Sequence, residues 1–130
     1  MINVRDHLPL VHRILERYQI PSEWFELVPD VQAWCKARGV NENNPFRAAK
    51  CFASEARCHI VMRDVQTESM VRSAKSSMEL DGFVIEVERL ETDAQYLAHL
   101  LLHEIACFKL QTTEQAARDR WAFAELANAA

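Results

Sequence analysis

The residues with the clearest chemical potential lie in one segment, residues 96–110, which reads YLAHLLLHEIACFKL. His99, His103 and Cys107 follow one another at intervals of four residues, so on an α-helix they share one face. Imidazole and thiolate are both zinc ligands, and side chains four residues apart on a helix can reach one ion. Apolar residues fill most other positions, which predicts a helix buried on more than one side. The segment therefore indicates either a metal site or a set of polar residues within a core.

The sequence HEIAC, residues 103–107, resembles the HExxH motif of zincin-type metallopeptidases, with a cysteine in place of the second histidine. The apolar residues before it and the segment AFAEL at 122–126 are similar to the corresponding parts of small gluzincins. The resemblance covers the second half of the chain. It implies that His103 is a zinc ligand, that Glu104 is the base that takes a proton from zinc-bound water, and that Cys107 stands at the second ligand position.

A third zinc ligand is expected on the helix that follows, where gluzincins carry a glutamate. The best-matching position is Ala117, which cannot bind a metal. Asp119 shares a helix face with Phe123 and Leu126, so it is predicted to point to the interior or to a cleft. A carboxylate in that position needs a partner, and His99 or His103 can provide one. The candidate ligands are therefore His99, His103, Cys107 and Asp119, with Glu104 as the candidate catalytic residue.

The altered motif leaves two classes of function open. With zinc, the chain is a divergent and catalytically impaired metallopeptidase-like protein, since a thiolate from Cys107 adds negative charge and weakens the metal as a Lewis acid. Without zinc, the same helix is only part of the core, and the domain is a non-enzymatic module that binds a protein or peptide partner. The content of zinc in purified protein distinguishes the two.

The first third of the chain is predicted to be helical. Apolar residues recur at helical spacing from Val4 to Tyr18, and Pro21 is expected to close this helix. A short helical turn is predicted to follow, carrying Trp24, Phe25 and Leu27. A second helix is predicted to begin at residues 29–30 and to stop at Gly39, before the loop at residues 41–45.

The middle of the chain predicts a small sheet. Residues 58–65 (CHIVMRDV) and 83–87 (FVIEV) are rich in β-branched and aromatic residues and are predicted strands. Residues 47–54 fit a partner strand or a helix equally well, and residues 68–78 have helical spacing.

The last third is predicted to contain a helix over residues 93–110, capped by Thr92 or Asp93, and a final helix that begins with a capping box of Thr112 and Gln115. The order of elements favours an α+β class, with the last helices covering one sheet face. With the resemblance, this gives a single zincin-like domain over residues 1–130.

Composition excludes some partners. The chain has 130 residues and a formal net charge of −4, and its 15 Lys and Arg are scattered. We therefore expect no binding to nucleic acid or to an anionic membrane. No apolar run is long enough for a signal peptide or a membrane span, so the protein is expected to be cytoplasmic and its four cysteines to be thiols.

Overall fold

The N-terminal helix forms as its periodicity predicts. In the computed structural model, which describes residues 1–129, a 3₁₀ turn at Val4–His7 leads into α1, Leu8–Arg17. The buried side of α1 carries Val11, Ile14 and Leu15. The helix ends before Pro21 is reached, because Gln19 adopts a left-handed conformation with φ of 57°.

The strands form two small sheets. β1 (Ile2–Asn3) pairs with β5 (Val65–Gln66), and a three-stranded sheet has the order β2-β4-β3, made of Phe25–Val28, Cys58–Arg63 and Ala49–Ala53 respectively. β3 is antiparallel to β4, which resolves the alternative at residues 47–54 in favour of a strand. The strand predicted at residues 58–65 is confirmed, although it is divided into β4 and β5.

The helical turn predicted for Trp24, Phe25 and Leu27 is wrong in its second half. A 3₁₀ turn covers Ser22–Trp24, but Phe25 begins β2, which lies parallel to β4 with Phe25 opposite Ile60. Parallel partners require a long crossover, here through α2 (Val31–Ala37) and β3. The pairing that makes this segment a strand is therefore remote in sequence.

The strand predicted at residues 83–87 is also wrong, since this segment is the short helix α4, Val84–Glu88. Phe83, Val87 and Leu90 are buried, whereas Ile85 is 60% exposed. Buried residues at intervals of four and three positions follow the period of a helix. The buried side of α4 packs against α3, which spans Glu68–Leu80. An apolar segment of only five residues fits the period of a strand and the period of a helix equally well, so the sequence could not distinguish them.

Two long helices complete the chain. α5 spans Asp93–Leu110 and α6 spans Gln115–Ala129. The capping box predicted for Thr112 and Gln115 does not form, because Gln115 is the first residue of α6 rather than its third; the Thr112 hydroxyl accepts from the N–H of Glu114 instead.

α5 lies against β3 and β4 on one face of the sheet, and α6 packs on α5. The side chains of Leu97, Leu101 and Ile105 are almost fully buried between these layers. The result is one α+β unit in which α5 is covered by the sheet, α1 and α6, as its apolar sequence requires.

The loop before β3 is held by a buried carboxylate. The side chain of Glu42 is 4% exposed and accepts hydrogen bonds from Lys50 Nζ at 2.9 Å and Arg47 Nε at 3.1 Å. Burial raises the pKa of Glu42, but the hydrogen bonds from Lys50, the backbone N–H of Asn44 and Arg47 outweigh it and bring the pKa to about 2.

Candidate functional site

α5 begins at a complete capping box, which fixes the first residue of the helix and therefore the direction in which each later side chain points. The Thr92 hydroxyl accepts from the N–H of Gln95, and the Gln95 side chain accepts from the N–H of Thr92. From this start, Tyr96, His99 and His103 fall on the helix face that lines a cleft between α5 and α3.

Asp119 of α6 lies beside both histidines of α5. Its Oδ1 is 2.7 Å from His103 Nδ1 and 3.6 Å from His99 Nε2. His99 and Asp119 are buried, and the side chain of His103 is 13% exposed. The inward orientation predicted for Asp119 is confirmed, and so is its predicted pairing with a histidine.

The environment of His99 favours its neutral form. Burial lowers the pKa of His99 to about 4, although the nearby Asp119 carboxylate acts in the opposite direction. Its Nε2 has no hydrogen-bond partner among the described residues, since the distance to Asp119 is beyond hydrogen-bond range. A buried nitrogen of this kind is uncommon in a folded protein and needs a physical explanation.

Glu104 is engaged by a residue that the sequence did not reveal. Arg118 donates from Nη2 to Glu104 Oε2 at 2.9 Å and from Nε to the backbone oxygen of His103 at 3.1 Å. Arg118 and Glu104 are 7% and 5% exposed. Arg118 lies 14 positions after Glu104 on another helix, so no spacing rule links them. The only signal in the sequence was that its neighbour Asp119 faces inward.

Cys107 is separated from the other candidates. It lies one turn further along α5, is buried, and does not line the cleft that His99, His103, Glu104 and Asp119 share. It is a free thiol, as are the other three cysteines. The structure thus brings together four of the five predicted site residues and leaves Cys107 outside.

The cleft has a volume of about 550 Å³. α3 contributes Ser69, Ser73 and Ser77, which lie at intervals of four residues on one face of that helix. α5 contributes Leu100 as well as its histidines. Tyr96 also lines the cleft and is 2% exposed, and its hydroxyl has no hydrogen-bond partner among residues 1–129.

Of the two donor distances measured from Asp119, one matches the spacing of a zinc site and the other is shorter. A zinc ion with bonds of about 2.1 Å in tetrahedral geometry holds its ligand atoms roughly 3.4 Å apart. The 3.6 Å between Asp119 and His99 is close to this value, whereas the 2.7 Å between Asp119 and His103 must open by roughly 0.7 Å. As placed, no three or more His, Cys, Asp or Glu side chains within residues 1–129 are grouped to hold a metal ion.

No known family is identified for this chain. Comparison with protein-family models, with curated proteins and with solved structures finds no match. The resemblance to zincins therefore stays a prediction that rests on the chain's own residues. Within residues 1–129, none of the helices is long and apolar enough to cross a membrane.

Proposed function

We propose that this protein is a divergent zincin-like domain that binds a divalent metal, zinc in the first instance, without peptidase activity. The observation that carries the proposal is the position of Asp119 between His99 and His103, four residues apart on α5. The unpartnered Nε2 of His99 supports it, because a metal ion would satisfy that nitrogen. Two histidines and one carboxylate are also the ligand set of a common class of catalytic zinc sites.

The same geometry gives a reason for impaired catalysis. If His99 and His103 are the paired ligands of an HExxH-type helix, the residue after the first histidine is the position of the general base. That residue is Leu100, which lines the cleft and cannot accept a proton. Glu104 does not replace it, since its carboxylate is bound by Arg118.

Each residue then has a defined part in binding the metal. His99 and His103 supply nitrogen ligands, and Asp119 supplies an oxygen. Arg118 fixes α6 to α5 at the backbone of His103, directly beside Asp119. When bound, zinc would lower the pKa of a coordinated water, as it does in metalloenzymes.

Metal content after removal of affinity tags tests the proposal. We expect the metal-free protein to take up one zinc per chain, and His99→Ala, His103→Ala and Asp119→Ala each to weaken zinc binding by at least about a hundredfold, since each removes a ligand. Cys107→Ala is the matched control on the same helix and should bind zinc as the parent does.

Two results would contradict the proposal. One is uptake of less than a tenth of an equivalent of added zinc by the folded parent, which would leave the prediction of a metal-free interaction module. The other is zinc binding that depends on Cys107 and not on His99, which would restore the HEIAC interpretation of the motif.

A further inference from the structure

A groove between α1, α5 and α6 lies apart from the cleft that His99 and His103 line. It has a volume of about 450 Å³ and shares no lining residue with that cleft. On α5 it is lined by Ala94, Ala98 and Leu102, which follow one another at intervals of four residues on a different face of the helix from the two histidines. The groove is therefore a second candidate site, and it does not depend on a metal.

The walls of the groove are mostly apolar. α1 contributes Leu10 and Ile14, which lie one turn apart, and α6 contributes Leu126. Ala94 and Ala98 line this space with single methyl groups, so α5 leaves it open where larger side chains would fill it. A groove of this volume lined by aliphatic side chains suits the apolar part of a small molecule.

Two arginines provide the only charges that line the groove within residues 1–129. Arg13 and Arg17 lie four residues apart on one face of α1, and both are exposed. Neither forms an ion pair with a described residue. The guanidinium of Arg17 lies 5.8 Å from the centre of the Tyr18 ring, which is itself part of the groove wall. Two positive groups beside an apolar groove, in a chain with a net charge of −4, favour a ligand that joins an anion to an apolar chain.

The neighbouring acids do not cancel this preference. Glu125 of α6 is close to Tyr18, since burial and the nearby carboxylate of Glu125 both raise the pKa of that tyrosine. Glu125 does not line the groove, and neither does Glu16 of α1. Repulsion from Glu125 is therefore confined to the Tyr18 end, one turn or more away from Arg13.

We propose that this groove binds a fatty acid of medium chain length, with the hydrocarbon chain between α1, α5 and α6 and the carboxylate held by Arg13 and Arg17. From Leu10 to Tyr18 the groove follows α1 for about 12 Å, roughly the length of a ten-carbon chain. Its volume lies in the range of small-molecule pockets, which favours a fatty acid over an acidic helix of a partner protein. The proposal is independent of the metal site.

The test titrates decanoate into the protein by isothermal titration calorimetry, with EDTA present so that the carboxylate cannot bind a metal. Decanoate should bind about fifteenfold more tightly than octanoate, because two more methylene groups are buried. The double variant Arg13→Gln/Arg17→Gln should weaken decanoate binding at least about fivefold and leave the binding of octanol, which carries no charge, unchanged. Arg120→Gln is the matched control, since Arg120 is an exposed arginine of α6 that does not line the groove.

A second variant tests the apolar part of the groove. Ala94 is half-buried, so Ala94→Leu can add its larger side chain to the groove without disturbing the core. We expect loss of both decanoate and octanol binding, because the variant fills the apolar space and leaves the arginines in place. The circular dichroism spectrum should match that of the parent.

Three results would overturn the proposal. The first is a folded parent that binds no decanoate at about 1 mM, which is the weakest affinity of interest here. The second is decanoate binding that is unchanged in the double arginine variant or in Ala94→Leu. The third is binding of an acidic amphipathic peptide of leucine and glutamate without binding of decanoate, which would assign the groove to a protein partner. None of these results bears on the metal site, which the content of zinc tests separately.

Discussion

Replacement of Arg118 or Glu104 tests whether this buried ion pair joins α6 to α5 as the structure indicates. Their side chains are 8% and 6% exposed and meet at 2.9 Å. In Glu104→Met, the guanidinium of Arg118 stays buried without its carboxylate partner. In Arg118→Met, Glu104 loses its partner and the backbone oxygen of His103 loses a donor.

The magnitude follows from burial rather than from the attraction of the two charges. Leaving one charge unpaired in a protein interior costs about 3–5 kcal/mol. This is a large fraction of the roughly 5–15 kcal/mol that stabilises a typical domain. The double variant, with two methionines in place of the pair, removes both charges and should lie within about 1 kcal/mol of the parent.

Equilibrium unfolding in urea, followed by circular dichroism, measures all four proteins in one double-mutant cycle. We expect a coupling energy of at least about 5 kcal/mol, since single losses of about 3–5 kcal/mol each would sum to about 6–10 kcal/mol if they were independent, whereas the double variant should stay within about 1 kcal/mol of the parent. Arg5→Met is the matched control. It breaks the Arg5–Asp64 pair, whose arginine is 55% exposed, and should cost less than about 1 kcal/mol.

Single variants that each cost less than about 1 kcal/mol would refute this reasoning, because the two groups would then reach water or other partners when separated. Additive losses in the double variant would refute it as well. Either result would also mean that Arg118 does not hold the carboxylate of Glu104, so that Glu104 could act as a base.

Glu42→Gln should make the free energy of unfolding less dependent on pH under acidic conditions. The folded-state pKa of Glu42 is about 2, against the ordinary 4.5. Its carboxylate therefore contributes on the order of 2 kcal/mol of stability above pH 4.5, and this contribution is lost as the pH falls towards 2. Urea midpoints at pH 7 and pH 3 check this, and equal pH slopes in parent and variant would contradict it. Leu101→Ala, at a fully buried position, should cost about 2–5 kcal/mol, whereas Leu80→Ala, at a position 89% exposed, should change stability by less than about 0.5 kcal/mol; equal urea midpoints would show that the packing is misassigned. Leu100→Glu adds a carboxylate beside the proposed metal ligands and should give measurable cleavage of a fluorogenic peptide by zinc-loaded protein. If the zinc-loaded variant cleaves no peptide, the leucine at position 100 is not the reason why the protein lacks peptidase activity.

The long helices were predictable because their signals are local. The capping residue Thr92 and the uninterrupted apolar sequence after it specify α5 over Asp93–Leu110, the range expected. Helical spacing likewise gave α3 from its first residue, although it extends two residues beyond the predicted end. In both, the hydrogen bonds and side-chain contacts that matter join residues within one or two turns.

The site could be predicted in part. His99, His103 and Asp119 were recognised because a buried helix face with histidines, and an inward carboxylate, both need polar partners. Glu104 was expected to act as a catalytic base, but its carboxylate accepts a hydrogen bond from Arg118, a residue that no motif contains. Cys107 lies four residues after His103 on the same helix, but it does not line the cleft.

The sequence by itself determined the helical period of α5, the face that its histidines share, and the inward direction of Asp119. Only the tertiary structure decided that Phe25–Val28 is a strand and Val84–Glu88 a helix, since short apolar segments fit both periods and the neighbouring strand or helix selects one. It also decided which groups meet at the site. The rotation of α6 against α5 places Asp119 by the histidines and Arg118 by Glu104, and that rotation is set by packing among residues far apart in the chain.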